Sequence, residues 1–116
     1  MEISIPITED NKYYSILRIL KFIKPFSDLR NRELQVFAEL LSVYNKYKSL
    51  KVDDRNKLTF DYDVRSSIAE KYGISKDSVY NIMMSLRRKG LIGSNVIIPK
   101  YVIPDVDFVK FNLKKS

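Results

Sequence analysis

The sequence predicts a mainly α fold with a small β-hairpin (α+β), and three observations carry that prediction. Two stretches, residues 11–24 and 27–47, repeat apolar side chains at helical spacing. Residues 63–90 hold two shorter amphipathic segments on either side of a glycine. After Gly90 the apolar residues turn β-branched and lose that spacing, as short strands do. With 116 residues the chain makes one domain around one modest core.

Residues 1–10, MEISIPITED, alternate Ile3, Ile5 and Ile7 with polar neighbours. The alternation reads as an extended arm, and Pro6 confines any strand there to a sheet edge. Such an arm can lie on a sheet or on a second subunit; a frayed terminus fits the same residues. From Asn11 to Lys24 the predicted helix is apolar around most of its circumference. Only Ser15, Arg18 and Lys21 form a polar stripe, and Pro25 ends it. A helix of this kind needs cover on two sides. One side can face the core and the other a second copy, so residues 12–24 read as a homodimerisation helix; full burial inside the monomer is the other reading.

Residues 27–47 give the second helix. Ser27, Asp28 or Asn31 can cap it, and Leu34, Phe37, Leu40, Leu41, Tyr44 and Tyr47 form its core face. That leaves Glu33, Gln35, Glu39, Ser42 and Asn45 for solvent. Residues 48–57, KSLKVDDRNK, are polar enough to read as a loop. Leu58-Thr59-Phe60 reads as a brief strand, and Asp61 or Asp63 as the cap of the next helix.

Val64, Ile68, Ala69 and Tyr72 then recur at helical spacing, as do Val79, Ile82, Met83 and Leu86 beyond the turn Tyr72-Gly73-Ile74-Ser75. Ala69 is small enough for two helices to approach. Gly73 falls where the first helix must end in a left-handed conformation, which glycine adopts most cheaply. Ile74 can turn into the core, and Ser75 can cap the second helix, a contribution of about 1 kcal/mol. These are the parts of a helix-turn-helix, two steeply crossing helices joined by a tight turn. Beyond it, Leu91-Ile92 would begin one strand and Tyr101-Val102-Ile103 its partner, with residues 93–100 between them. The tail DVDFVKFNLKKS reads as a further strand or as an arm packing on a neighbour.

The positions Ile68, Ala69, Gly73, Ile74, Val79 and Ile82, with the trailing LRRKGLI, resemble the winged-helix (helix-turn-helix) family of DNA-binding domains over roughly residues 30–104. GISKDSVYNIMMSLRRKGLI followed by KYVIP is similar, more loosely, to the winged helices of plasmid and phage replication initiators. The resemblance implies a winged helix-turn-helix with an extra N-terminal helix and extended terminal arms. In a single domain, 1–116, residues 1–26 would be arm and dimerisation helix, 27–104 the core with its helix-turn-helix at 63–90, and 105–116 a C-terminal arm. The wing departs from the family pattern: GSNVIIPK carries Val96, Ile97 and Ile98 but a single cation, Lys100. Wings that enter a minor groove present Arg or Lys. This one is better suited to extending the sheet or covering apolar surface.

The resemblance also implies that the second helix of the motif enters a major groove. With Val79, Ile82, Met83 and Leu86 assigned to the core, Ser75, Lys76, Asp77, Ser78, Tyr80, Asn81 and Met84 remain to meet DNA. Asn81 suits a bidentate contact to adenine, and Ser78 suits either base type. Tyr80 offers a hydroxyl to phosphate or an apolar edge to a thymine methyl, and Lys76 suits a phosphate or a guanine. Asp77 is better explained by the positive end of the helix dipole. Arg87, Arg88 and Lys89 end this helix, where cations suit both the dipole and a phosphate backbone. Arg65 and Ser66 open the preceding helix, whose N-terminus can face a phosphate.

Composition sets the remaining bounds. A formal charge of +7 favours a polyanionic partner, although the excess is spread along the chain rather than gathered in a tail or patch. Histidine and cysteine are absent, which excludes disulfides, thiolate or imidazole catalysis and the usual zinc sites. The carboxylates show no catalytic pairing, so neither an enzyme nor a cofactor is expected. No apolar run approaches the ~20 residues of a membrane span, and the N-terminus has no signal-peptide pattern. A cytoplasmic protein is expected. Its expected function is sequence-specific binding of double-stranded DNA, most simply as a dimeric transcription regulator. A replication-initiation protein and a module docking on polymerase or another replication protein are the alternatives.

Overall fold

The computed structural model describes residues 2–6, 12–103 and 108–112. Five α-helices carry these residues: α1 (Lys12–Ile19), α2 (Asn31–Lys46), α3 (Val52–Thr59), α4 (Tyr62–Tyr72) and α5 (Lys76–Arg88). The apolar repeat of α2 makes it the central element. Leu34, Phe37, Leu40 and Leu41 are fully buried, and so are Val36 and Ala38 on its adjoining faces. A helix enclosed that widely needs neighbours on several sides, and α1, α3, α4 and α5 all pack on it. Each buried Leu or Phe stabilises the fold by roughly 1.5–3 kcal/mol.

α1 is shorter than the stretch 11–24. It ends at Ile19 and gives way to a 3-10 turn, Leu20–Phe22, before a cis Lys24–Pro25 bond. Tyr13, Ile16 and Leu17 are its buried face. The start of α2 is closed neither by Ser27 nor by Asp28 or Asn31: the Arg30 N–H donates to Glu33 Oε1 at 2.8 Å.

The expected α+β class is overturned, because the described residues are predominantly helical and no wing hairpin forms between 91 and 103. The segment makes one isolated antiparallel bridge, Ile92 to Ile97, and then a 3-10 turn, Pro99–Tyr101. Two causes are visible. Leu91, Ile92 and Ile97 are buried in the helical core, so the apolar run folds onto the body instead of projecting from it. Pro99 then supplies no N–H to continue a ladder.

The expected strand Leu58-Thr59-Phe60 is likewise absent, and so is most of the expected loop 48–57. Leu58 and Thr59 instead close α3. Asp53 and Asp54 lie in its first turn and Lys57 in its last, each on the side the helix dipole favours. Its polar side chains bond backward along the helix: Asn56 Nδ2 to Val52 O at 3.1 Å and Thr59 Oγ1 to Arg55 O at 2.7 Å. Apart from the Ile92–Ile97 bridge, strand pairing among the described residues is confined to the chain ends. There β1 (Glu2–Pro6) runs antiparallel to β2 (Phe108–Asn112), with Ile3 opposite Phe111 and Ile5 opposite Val109. Residues 7–11, 104–107 and 113–116 of the predicted arms lie outside the described residues. No helix among the described residues is long and apolar enough to cross a membrane.

Candidate nucleic-acid interface

The two helices of the motif are held by their turn. Gly73 adopts φ +63°, and its N–H reaches Glu70 O at 3.3 Å while the Ile74 N–H reaches Ala69 O at 3.0 Å. Ser75 Oγ accepts from the Ser78 N–H at 3.0 Å and so starts α5. Val79 and Leu86 are fully buried and fix how α5 is rotated. At about 100° per residue, Asp77, Tyr80, Asn81, Met84, Arg87 and Arg88 then share its outward side. All are exposed except Met84, which is half-buried.

A buried polar clamp seats the C-terminal end of α5 on the start of α2. Glu33 is 1% exposed. It accepts from the Arg30 N–H, from Lys89 Nζ at 2.7 Å and from the Ser85 hydroxyl. Burial alone would raise its pKa, but the bonds from Arg30, Lys89 and Ser85 outweigh it and hold the carboxyl at about 2. Lys89 Nζ also donates to Asp28 O at 2.9 Å. This cation therefore serves the fold, unlike Arg87 and Arg88 beside it.

The clamp has a second effect: it sets Arg30 and Arg32 next to α5. With Ser78, Asn81 and Ile82 they line a groove of about 380 Å³. Arg30 is 79% exposed, and Arg32 lies 5.4 Å from the centre of the Tyr72 ring. On the opposite flank Tyr80, Met84 and Arg87 line a narrower cleft with Arg65 of α4 and Asn95 of the 93–96 turn. The Arg65 Nε is buried without a hydrogen-bond partner among the described residues.

The expected contacts separate into groups. Tyr80, Asn81, Met84, Arg87 and Arg88 share the outward side of α5, and Arg65 joins them across the cleft. Ser75 is occupied as a cap, and its hydroxyl also bonds that of Ser78 at 2.9 Å. Lys76 Nζ bonds the Tyr62 hydroxyl and lies 4.7 Å from the centre of its ring. That hydrogen bond lowers the Tyr62 pKa from its ordinary value. Ser66 sits half-buried on α4. Lys100 is exposed on the Pro99–Tyr101 turn, over the Tyr101 ring, and lines neither groove beside α5. Arg30, Arg32 and Tyr62 were missed. Arg30 and Arg32 belong to a helix about fifty residues earlier, and nothing local in the sequence marks them as neighbours of Asn81.

Among the described residues no three His, Cys, Asp or Glu side chains gather as a metal-binding group. Scanned against protein-family models, curated proteins and solved structures, the chain matches none.

Proposed function

We propose that the chain is a sequence-specific double-stranded DNA-binding protein, most simply a transcription regulator, that inserts the outward side of α5 into a major groove. The observation that carries this reading is the juxtaposition around α5. An exposed side with one carboxylate, Asp77, is bordered by Arg30 and Arg32 on one flank and by Arg65 and Arg87 on the other. Cations on both flanks suit the two phosphate backbones that border a groove, while Asn81 and Tyr80 between them suit base edges. Duplex selection from a random pool, followed by a salt titration of the selected site, tests the proposal. Log K should fall linearly with log salt, by about 0.9 per phosphate neutralised. A flat salt response, or selection without a consensus, would sink it.

A homodimer belongs to the same proposal. The buried face of α1 is committed to the core, so self-association within residues 12–24 would use Phe22 and Ile23, both exposed beyond its end. A second reading, docking on a polymerase or another replication protein, is favoured by the exposed Val52 and Leu58 of α3. That module would bind its partner with α5 left free and show no duplex preference.

A further inference from the structure

The cleft on the Arg65 flank of α5 has a chemistry of its own. Its floor is apolar: Phe60 and Ile92 are both buried there. Met83 and Met84 form a wall, half-buried, and methionine sulfur makes favourable contacts with aromatic rings. Two guanidinium groups, Arg65 and Arg87, stand at the cleft, and no carboxylate lines it among the described residues. The Arg65 Nε is buried with no acceptor. The guanidinium is thus left with donor capacity that an oxyanion can take.

Size narrows the occupant. The cleft holds about 120 Å³, somewhat less than the apolar cavity of about 150 Å³ that takes up benzene. A single ring can lie partly in it, with its edge at the open mouth; a base pair cannot enter. Guanidinium matches the fork of a carboxylate and also stacks on aromatic faces.

We infer that this cleft binds a small aromatic carboxylate, its ring against Met83, Met84 and Phe60 and its carboxylate on Arg65. Tyr80, Met84 and Arg87 belong both to the cleft and to the side of α5 assigned to DNA. A bound aromatic carboxylate therefore competes with DNA, a consequence that rests on the proposed function. The ligand site itself does not.

Amide-resolved NMR of the full chain tests the site, with benzoate, benzyl alcohol and acetate titrated at constant ionic strength. Benzoate should give saturable shifts confined to the cleft, at residues 60, 65, 80–87 and 92–95. Benzyl alcohol, which lacks the charge, and acetate, which lacks the ring, should each bind about tenfold more weakly or worse. Arg65→Gln should weaken benzoate by a similar factor while leaving the remaining resonances in place; if that variant does not fold, Met84→Gln tests the ring contact instead. No saturable shift, or an equal response to benzyl alcohol, overturns the site. A selected duplex then tests the competition: benzoate should raise its Kd and acetate should not. If no duplex binds, the proposed function fails and the titration still decides the cleft. If duplex binds and benzoate does not, only this inference fails. If both bind without affecting one another, the competition is overturned and the ligand site stands.

Discussion

Glu33 looks like a solvent residue in the sequence, on the polar side of a long amphipathic helix, yet it is the most consequential buried charge described. What hides its role is distance along the chain: Ser85 and Lys89, which hold it, lie more than fifty residues away. No periodicity within α2 can announce partners on α5. Because its folded pKa is depressed, the carboxylate's contribution to stability is complete above its ordinary 4.5 and is lost as pH falls from there toward about 2. Glu33→Gln should cost about 1–3 kcal/mol at neutral pH, since Lys89 keeps a donor without its anion. It should also flatten the stability profile between pH 4.5 and 2, measured by denaturant unfolding. A variant with an unchanged acid limb would mean that other carboxylates govern it. The reading residues make separate demands. Asn81→Ala should relax preference at one base pair by about 1–3 kcal/mol, whereas Arg88→Ala should weaken all duplexes alike and reduce the salt slope by about 1. Binding assays on matched and mismatched duplexes distinguish the two, and the opposite pattern would place α5 differently in the groove.

Among elements, those whose signal is local were the legible ones. Gly73 ends α4 in the left-handed region and Ser75 caps α5, because both effects are decided within four residues. The helical apolar repeats of α2 and α5 are equally local. α3 was illegible for the opposite reason: it is joined to the body through polar groups. Arg55 lies 3.8 Å from the centre of the Tyr44 ring, and Asn56 Oδ1 accepts the Ile97 N–H at 3.0 Å. A search for apolar spacing sees only a charged run. The wing failed differently, since Val96-Ile97-Ile98 has real strand propensity that burial of Ile97 overrides. The turn permits a clean test. An added Cβ at Gly73 meets no heavy atom within 4 Å. Gly73→Ala should therefore cost only the left-handed backbone strain, about 1–2 kcal/mol, and Gly73→Asn less. Ser75→Ala should cost about 1 kcal/mol. Thermal unfolding of the three variants checks the order, and a neutral Gly73→Ala would show that the turn relaxes.

At the scale of the whole molecule the open question is how many copies meet the DNA. The sequence offered residues 12–24 as one nearly all-apolar surface, and the structure divides it: Ile16 is 3% exposed and Phe22 70%. A charge at position 16 enters the core, where an unpaired ion costs several kcal/mol; a charge at position 22 stays at the exposed surface. Ile16→Glu should thus lower the melting temperature sharply, while Phe22→Glu should lower it far less and abolish self-association in sedimentation equilibrium. The DNA then reports the same event independently. A symmetric dimer requires two half-sites about 10–10.5 base pairs apart, centre to centre, so the wild-type selection should return an inverted repeat and Phe22→Glu a single half-site bound more weakly. A wild-type chain that sediments as a monomer and selects an unrepeated site would remove the dimer and leave the role of α5 intact.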